Sequence, residues 1–547
     1  MQTELSARKK AVIVGGVMLG LFVSAISGTV VSTAMPRIVA DLGGLHLYSW
    51  VFTSFMLTST SVIPIVGKLS DLYGRKPFFM VGIVVYMIGA GLGGMSQSMV
   101  QLIVFRGIQG VGGGMIMSGA FAIIGDLFPP AERGKYAGLF SAVFGMASVV
   151  GPSVGGFITD NLSWRWVFYV NIPFGLLALA VLTWGMPWGR PLGRRQEVDY
   201  RGVAALVLAV VPMLLAFVWA GDQYAWGSAQ IVGLLGFSGV MIVVFAWIES
   251  RAADPILPLG LFRNRIFVVS AVVVFLTGMG MFGSTTYLPL FVQGVIGASA
   301  TNSGLVTTPM MLGMVVASAT SGQIISRLGR YRVLGTLGVA VMTFGMFLLS
   351  RMDAGSTQAE AVRNMVVVGV GLGLTLPIFG IAVQNAVPFR MLGVVTASTT
   401  FFRQMGGLLG VAIFGTLMST HVRNNLASEL PAEVREGASP AVLKALEDPQ
   451  ILLSPQAMDR VREGFAEFGT EGAALFEATI ASMRSVLADG LGLVFLAALI
   501  ITVAALAASV FLKEIPLKGM AERFEEAAEE MAAARQSAPA GGSLTAD

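Results

Sequence analysis

Long apolar runs constrain this chain more than any other feature of its sequence. Fourteen windows of about 20 mainly apolar residues follow one another, and only 12% of the 547 residues are charged. A run of this length crosses a membrane as a helix, because hydrocarbon offers no partner for free peptide groups. The sequence therefore predicts an all-α integral membrane protein. The windows are 11–35, 49–69, 78–97, 101–125, 136–158, 166–187, 203–221, 230–250, 265–288, 303–325, 333–350, 364–383, 394–418 and 488–512.

Lysine and arginine are unevenly distributed between the two sides that these spans define. With the N-terminus inside, the short outside loops hold only Arg37, Arg165, Arg351 and Arg363, and most other basic residues fall in inside segments. Short loops rich in Lys and Arg stay on the cytoplasmic side. We therefore expect a multi-pass protein of a bacterial-type inner (plasma) membrane with both termini in the cytoplasm.

Acidic side chains avoid the apolar runs. None of the 31 Asp and Glu residues lies well inside a window, and the two closest, Asp126 and Asp489, are predicted at helix ends. Absence of cysteine excludes disulfides and thiolate metal sites. No nucleophile–base pair or metal-ligand cluster indicates an enzyme. We expect no cofactor, no metal and no nucleic-acid partner.

One loop motif occurs twice. The stretch GKLSDLYGRKP (67–77) follows the second span, and GQIISRLGRYR (322–332) follows the tenth, with the two glycines and the arginine at equal spacing. A repeated loop favours a duplicated architecture of two helix bundles. We predict an N-terminal six-helix bundle over 1–188, a two-helix linker over 189–264 and a C-terminal six-helix bundle over 265–547.

The first of these loops and four other stretches resemble the fourteen-helix drug:proton antiporter branch of the major facilitator superfamily. The other stretches are RGIQGVGGG (106–114), GPSVGG (151–156), WRWVFYVNIPFG (164–175) and FFRQMGG (401–407). The resemblance implies two bundles that expose a central cavity alternately to the two sides, and it implies drug export. We expect gating or coupling roles for Gly67, Asp71, Gly74, Arg75, Arg106, Gly151, Pro152 and Arg403.

Asp71 lies near the end of the second span and needs a cationic partner there. It can pair with Arg75 in the same loop or with an arginine across the bundle interface. Arg403 is the candidate for the second pairing, since an arginine inside a membrane helix also needs a partner. A pair across the interface would hold the cytoplasmic side closed in the outward-open state.

The first span departs from the resembling family at one position. The family pattern LDxTIVxxALP carries an acid, and this chain reads ISGTVVSTAMP with Ser27 in its place. Arg106 and Ser27 lie at comparable predicted depths, roughly 9 and 12 Å from the outer side. We therefore predict that Ser27 accepts a hydrogen bond from Arg106. Protons stay an open partner, since a serine hydroxyl does not titrate as a buried carboxyl does.

An acid-free cavity favours neutral, anionic or lipid-like cargo over strongly cationic cargo. We expect an apolar, adaptable wall, because methionine repacks easily. Three functions stay open: an exporter of lipophilic small molecules, a lipid transporter or flippase, and a non-transporting membrane sensor. The predicted cavity residues are Ser27, Thr29, Phe52, Met56, Met146, Met279, Phe282, Phe379, Phe401, Phe402 and Gln404.

The outer segment 421–485 separates the last two spans. Met458, Val461, Phe465 and Phe468 recur in it at helical spacing, which predicts short amphipathic helices on the outer membrane surface. In the lipid-transport alternative this segment guides the lipid outward. The tail 513–547 is charged and Ala-rich and is predicted to begin as a short cytoplasmic helix. We expect a monomer that contacts membrane lipids.

Overall fold

The computed structural model describes residues 6–516, apart from 44–46, 129, 188–198, 222, 253–254, 299, 329, 389–390, 438–445, 447–451, 453–454 and 466–471. Within these residues the chain forms α-helices, with a short 3₁₀ helix at Leu259–Arg263 and a π-helical turn at Phe291–Val295. The helices are α1 (Ala7–Leu42), α2 (Tyr48–Tyr73), α3 (Arg75–Gly94), α4 (Met99–Leu127), α5 (Pro130–Asn161), α6 (Trp166–Tyr169), α7 (Asn171–Gly185), α8 (Tyr200–Trp219), α9 (Ala229–Glu249), α10 (Arg265–Leu290), α11 (Ala300–Leu328), α12 (Arg332–Ser350), α13 (Gln358–Asn385), α14 (Leu392–Glu429), α15 (Ala432–Gly437), α16 (Pro455–Gly464) and α17 (Gly472–Val510).

The predicted apolar windows become long helices. Among the described residues, thirteen helical segments are long and apolar enough to cross a membrane, with α6 and α7 together forming one of them. The remaining predicted window, 136–158, lies inside α5, which is 32 residues long. The structure thus confirms the expected all-α integral membrane fold.

Two groups of helices face each other. The first group (α1–α7) packs α2 and α3 along α4 and packs α1 along α5 and α7, and the second group joins α10–α14 and α17. The groups meet along α2 with α14 and along α5 with α11, and α8 lies across α2 and α14. Because the long helices alternate in direction, α1 begins and α17 ends on one face, hereafter the terminal face. The opposite face, where α14 ends and α17 begins, is the insertion face.

Glycines allow the helices of the first group to approach closely. On α4, a methyl group at Gly110 or Gly114 would overlap the backbone of Phe55 or Ser59 on α2. In lipid, helices gain no hydrophobic free energy by associating, so they rely on close van der Waals packing, which small residues permit. The glycine-rich stretch of α4 therefore serves helix packing.

The segment 421–485 is more ordered than its sequence predicts. Helix α14 continues to Glu429 and α17 begins at Gly472, so much of the segment extends these two helices. Asp489 consequently lies in the interior of α17, and its predicted position at a helix end is wrong. A longer helix was missed because the added turns carry charged residues, which end an apolar window without ending a helix.

A small hydrophobic core joins these extensions to α15 and α16 and forms a cap on the insertion face. Val461 and Phe465 are buried, and the Phe465 ring lies 5.7 Å from that of Phe476 on α17. The apolar face of α16 thus packs onto protein, and the placement of the segment on the outer membrane surface stays a prediction. Phe468 and the tail beyond residue 516 lie outside the described residues.

Candidate functional site

Arg106 is buried inside the first helix group, with only 2% of its surface exposed. Its Nη1 donates hydrogen bonds to Ser27 Oγ at 3.2 Å and to Gln109 Oε1 at 2.6 Å. Its Nε donates to the Val51 carbonyl at 3.2 Å. The predicted contact between Ser27 and Arg106 is therefore present in the structure.

Neutral groups complete the surroundings of this guanidinium. Gln109 Nε2 donates to Ser27 Oγ at 3.3 Å, and the Phe55 ring centroid lies 4.5 Å from the guanidinium carbon. Within the described part of the chain no carboxylate forms an ion pair with Arg106. The buried charge is held by the hydrogen bonds that it donates to its neighbours and by an aromatic face. The cluster thus contains no acid that could exchange a proton.

Asp71 connects the two helix groups at the terminal face. Its Oδ1 accepts a hydrogen bond from the Gly393 N–H at 3.0 Å, and its Oδ2 accepts one from the Val394 N–H at 2.8 Å. Both donors belong to the first turn of α14, where free N–H groups and the helix dipole favour an anion. Asp71 also forms an ion pair with Arg75.

Arg75 holds two carboxylates at once. Besides Asp71, it donates from Nε to Asp126 Oδ2 at 2.9 Å. Gly74, between α2 and α3, has a φ of 96°, a value that residues with a Cβ rarely adopt, and so it lets the chain turn back at this point. A methyl group on Gly67 would overlap Ala397, so this glycine permits the close approach of α2 and α14.

Arg403 does not pair with Asp71, and that part of the prediction is wrong. The carboxylate of Asp71 is satisfied by Arg75 and by the backbone of α14. Arg403 lies about two and a half turns further along α14, and its guanidinium carbon is 5.9 Å from the Phe121 ring centroid on α4. Backbone donors at a helix start carry no side-chain signature, which is why sequence reasoning overlooked them.

A second polar contact crosses the interface near the terminal face. Arg133, at the start of α5, donates to Gln384 Oε1 of α13 at 2.5 Å and also to the carbonyls of Phe128 and Gly125. Gln384 Nε2 then donates to Thr396 Oγ1 at 2.9 Å. Sequence analysis did not single out Arg133 or Gln384. In the sequence, nothing distinguishes Arg133 from the many other charged residues in loops.

A cavity of about 90 Å³ lies between the groups, in the half nearer the terminal face. Helices α4, α5, α10, α11, α13 and α14 form its wall, and the described residues of this wall include no Asp or Glu. Arg403 and Arg133 are on this wall, together with Gln384, Thr399 and Phe121. The cavity therefore combines positive charge with apolar surface.

The residues that the sequence predicts for a cavity wall lie elsewhere. Ser27 belongs to the Arg106 cluster, and Thr29 Oγ1 donates to the Ala147 carbonyl of α5 at 3.1 Å. Gln404 Oε1 accepts from Thr60 Oγ1 of α2 at 2.8 Å, so this residue contributes to the interface of the groups. Phe52, Met56, Phe401 and Phe402 pack in hydrophobic clusters, Met279 and Phe282 contact Gly410 and Gly407, Phe379 is fully buried, and Met146 is exposed.

Gly151 serves close packing of α5 on α1. A methyl group at Gly151 would overlap the Thr29 side chain, and one at Gly155 would overlap that of Thr33. Pro152 lies inside α5, and its side chain is outside the described set. The GPSVGG stretch thus joins α5 to the helix that carries Ser27.

Two groups of membrane helices, joined at one face by charged contacts, define a membrane transporter fold. The chain belongs to the Major Facilitator Superfamily, whose family model matches residues 17–411. It is a multi-pass membrane transporter of this superfamily and not an enzyme.

Several known proteins are similar to this chain. Multidrug transporter protein MdtP of Bacillus subtilis (strain 168) is 38% identical, over 98% of this chain and 99% of its own length. Multidrug resistance protein 3 of the same organism is 36% identical, over 96% and 99%. Among solved structures, the proton:xylose symporter XylE has a TM-score of 0.55 at 14% identity, covering 95% of this chain and 99% of its own. That structural likeness supports the fold alone.

Proposed function

We propose that this chain exports lipophilic small molecules across a bacterial inner membrane by alternating access, with its terminal face in the cytoplasm. The contact of Asp71 with the start of α14 carries this proposal, because it joins the two helix groups at one face. The multidrug names of the Bacillus relatives support export as the direction of transport. In the structure the two helix groups are in contact at the terminal face.

The Asp71 contact has the strength that a gate requires. A hydrogen bond to a charged group contributes about 1.5–3 kcal/mol, so two of them contribute on the order of 4 kcal/mol. Moving a two-state equilibrium from 1:99 to 99:1 takes about 5.5 kcal/mol. Breaking this contact therefore shifts the protein substantially toward a state that is open at the terminal face.

Proton coupling is a separate part of the proposal. Ser27 does not titrate, so we assign any proton exchange to Asp71, which pairs with Arg75 and accepts two hydrogen bonds from the start of α14. Protonation of Asp71 would weaken these contacts and loosen the terminal face. This places the coupling site at the gate and away from the first span.

Distances between spin labels test alternating access directly. The chain has no cysteine, so labels can be placed without removing native thiols. One pair, Tyr73→Cys with Val333→Cys, reports on the terminal face, and a second pair, Leu162→Cys with Arg351→Cys, reports on the insertion face. Asp71→Asn should lengthen the first distance and shorten the second, and should lower dye export from proteoliposomes at least tenfold.

A matched variant controls for the loss of one carboxylate regardless of its position. Asp353→Asn removes an exposed acid on the insertion face, and it should leave both distances and export unchanged. Identical distances in the wild type and Asp71→Asn, in a folded protein, would contradict the gate.

The cap on the insertion face keeps lipid transport as a second candidate. Its own hydrophobic core builds on extended α14 and α17, beyond residues 17–411 that the family model matches. Replacing 430–471 with a short Gly-Ser linker tests it with two cargos in proteoliposomes, a fluorescent phospholipid and a hydrophobic dye. Loss of lipid movement with retained dye export would favour the lipid function.

A further inference from the structure

We infer that the cavity beside Arg403 binds the anionic group of an amphiphilic substrate. The inference rests on the proposed export function and names its substrate class: a carboxylate, sulfonate or phosphate attached to an apolar body. Three observations carry it, namely the unpaired charge of Arg403, the chemistry of the wall, and the position of the cavity on the gating helix.

Arg403 is a cation inside the membrane helices without a protein counterion. Across the described residues, its guanidinium forms no ion pair and no hydrogen bond, and its central carbon lies 5.9 Å from the Phe121 ring centroid. A desolvated charge of this kind is costly unless something compensates it, and such residues mark substrate or ion pathways. An anionic ligand would supply the missing partner in a bidentate geometry.

The wall of the cavity favours an anion over a cation. Arg133 adds a second positive charge, whose hydrogen bonds to Gln384 and two carbonyls fix its position. Among the wall residues that the structure describes, no carboxylate neutralises these charges or attracts a cation. Phe121, Val274, Met314 and Leu376 supply the apolar remainder, which suits the body of an amphiphile.

The cavity has room for a head group. Its volume of about 90 Å³ accommodates roughly six water molecules at about 15 Å³ each. A carboxylate or sulfonate with part of its apolar body fits this space, whereas a whole drug-sized molecule needs a pocket of about 300 Å³ or more. A larger substrate would extend into space that opens when the helix groups move apart.

Helix α14 connects this cavity to the gate. Its first turn donates to Asp71, Thr396 accepts from Gln384, Arg403 lies on the cavity wall, and Gln404 accepts from Thr60 of α2. An anion drawn to Arg403 therefore acts on the same helix that closes the terminal face. Binding and gating are linked through α14, as a transport cycle requires.

Binding of two probes to the purified full chain tests the inference. 8-Anilinonaphthalene-1-sulfonate is anionic and Nile red is uncharged, and both change fluorescence on binding. In phosphatidylcholine nanodiscs, Arg403→Gln should raise the sulfonate Kd at least tenfold relative to the Nile red Kd. Arg403→Lys, which keeps the charge, should raise that ratio less than threefold. Arg351→Gln, an exposed arginine on the insertion face, should leave the ratio unchanged.

A second variant covers the case in which Arg403→Gln fails to fold. Thr399→Asp places a carboxylate one turn before Arg403, a favourable spacing for an ion pair, and should also weaken sulfonate binding selectively. Nanodiscs with phosphatidylglycerol separate two sources of the anion. Competition with the sulfonate in the wild type identifies a lipid head group as ligand, and absence of competition identifies a free anionic amphiphile.

The result that overturns the inference is an unchanged ratio of the two Kd values in both Arg403→Gln and Thr399→Asp. This outcome differs from failure of the proposed function, in which the wild type transports neither probe in proteoliposomes. Binding and transport therefore fail independently, and each proposal has its own test.

Discussion

Arg106 and Arg403 are both arginines inside membrane helices, and the structure surrounds them in opposite ways. Arg106 is buried and donates to three neutral hydrogen-bond acceptors on three helices. Arg403 lies on a cavity wall, and the described residues provide it with an aromatic ring alone. The same residue type is thus part of the packed fold at one site and a free charge at the other.

The difference follows from the neighbours on each helix. Arg106 is followed three residues later by Gln109, on the same helical face, and Ser27 faces both from α1. Arg403 is followed by Gly406 and Gly407, whose role is close packing on Phe275 and Phe282 of α10. A satisfied charge contributes to stability, and an unsatisfied one costs stability unless a ligand binds. The two sites should therefore respond oppositely to removal of the charge.

Removing each charge gives the largest expected effect. Arg106→Met leaves the buried Gln109 Oε1 without its donor, removes one of the two donors to Ser27 Oγ, and should lower the free energy of unfolding by on the order of 3 kcal/mol. Arg403→Met removes an uncompensated charge and should change it by less than about 1 kcal/mol, or increase it. Thermal unfolding of the two variants in the same detergent measures the difference.

Equal destabilisation by the two substitutions would contradict the proposed difference between Arg106 and Arg403. Arg351→Met, on the exposed end of α12, controls for the change of residue type and should leave the unfolding temperature near that of the wild type. A loss of stability at Arg403 as large as that at Arg106 would mean that Arg403 has structural partners that substitute for a ligand.

The second-largest effect is expected on the pH dependence of transport, when an acid is placed beside Arg106. Ser27→Asp puts a titratable carboxyl next to the guanidinium, in the position where the resembling exporters hold theirs. Transport should then vary with pH by up to tenfold per unit on one side of the apparent pKa of the new group, as expected for a single proton. Export from proteoliposomes, measured at a series of pH values, reports it.

Ser27→Ala is the control for that substitution, since it removes the hydroxyl and adds no titratable group. Its pH profile should follow that of the wild type. A Ser27→Asp profile identical to that of the wild type, in a folded protein, would show that this position is disconnected from transport, and any coupling would then fall to Asp71.

The sequence predicts the fold better than it predicts the site. Apolar length identifies the helices, and a shared depth brings Ser27 to Arg106, because both depend on the regular rise of a helix. The partner of Asp71 is a pair of backbone N–H groups of Gly393 and Val394, which any residue could supply. The cavity wall depends on how the two helix groups tilt, and periodicity within one helix carries no information about that tilt.

A third arginine, Arg165, extends the comparison to the membrane edge and gives the smallest effect. Its Nη1 donates to Asp41 Oδ2 at 3.1 Å, and Trp164 Nε1 donates to the same oxygen at 2.9 Å. The hydrogen bond from Trp164, followed by that from Arg165, holds the pKa of the exposed Asp41 carboxyl below its usual range. Here the acid is present, but water screens the pair.

Because its folded-state pKa is depressed, Asp41 stabilises the folded protein above the usual carboxyl pKa of about 4, and this stabilisation is lost as the pH falls through the folded-state value. Asp41→Asn should therefore lower the unfolding temperature slightly at neutral pH, less than any change above, and the difference from the wild type should vanish in acid. Unfolding temperatures of both proteins from about pH 7 down to about pH 3 measure it. A difference that stays constant over this range would show that Asp41 acts through its shape and not through its charge. The effects on stability at the three arginine sites would then follow how deeply each arginine is buried, and not whether it has a partner.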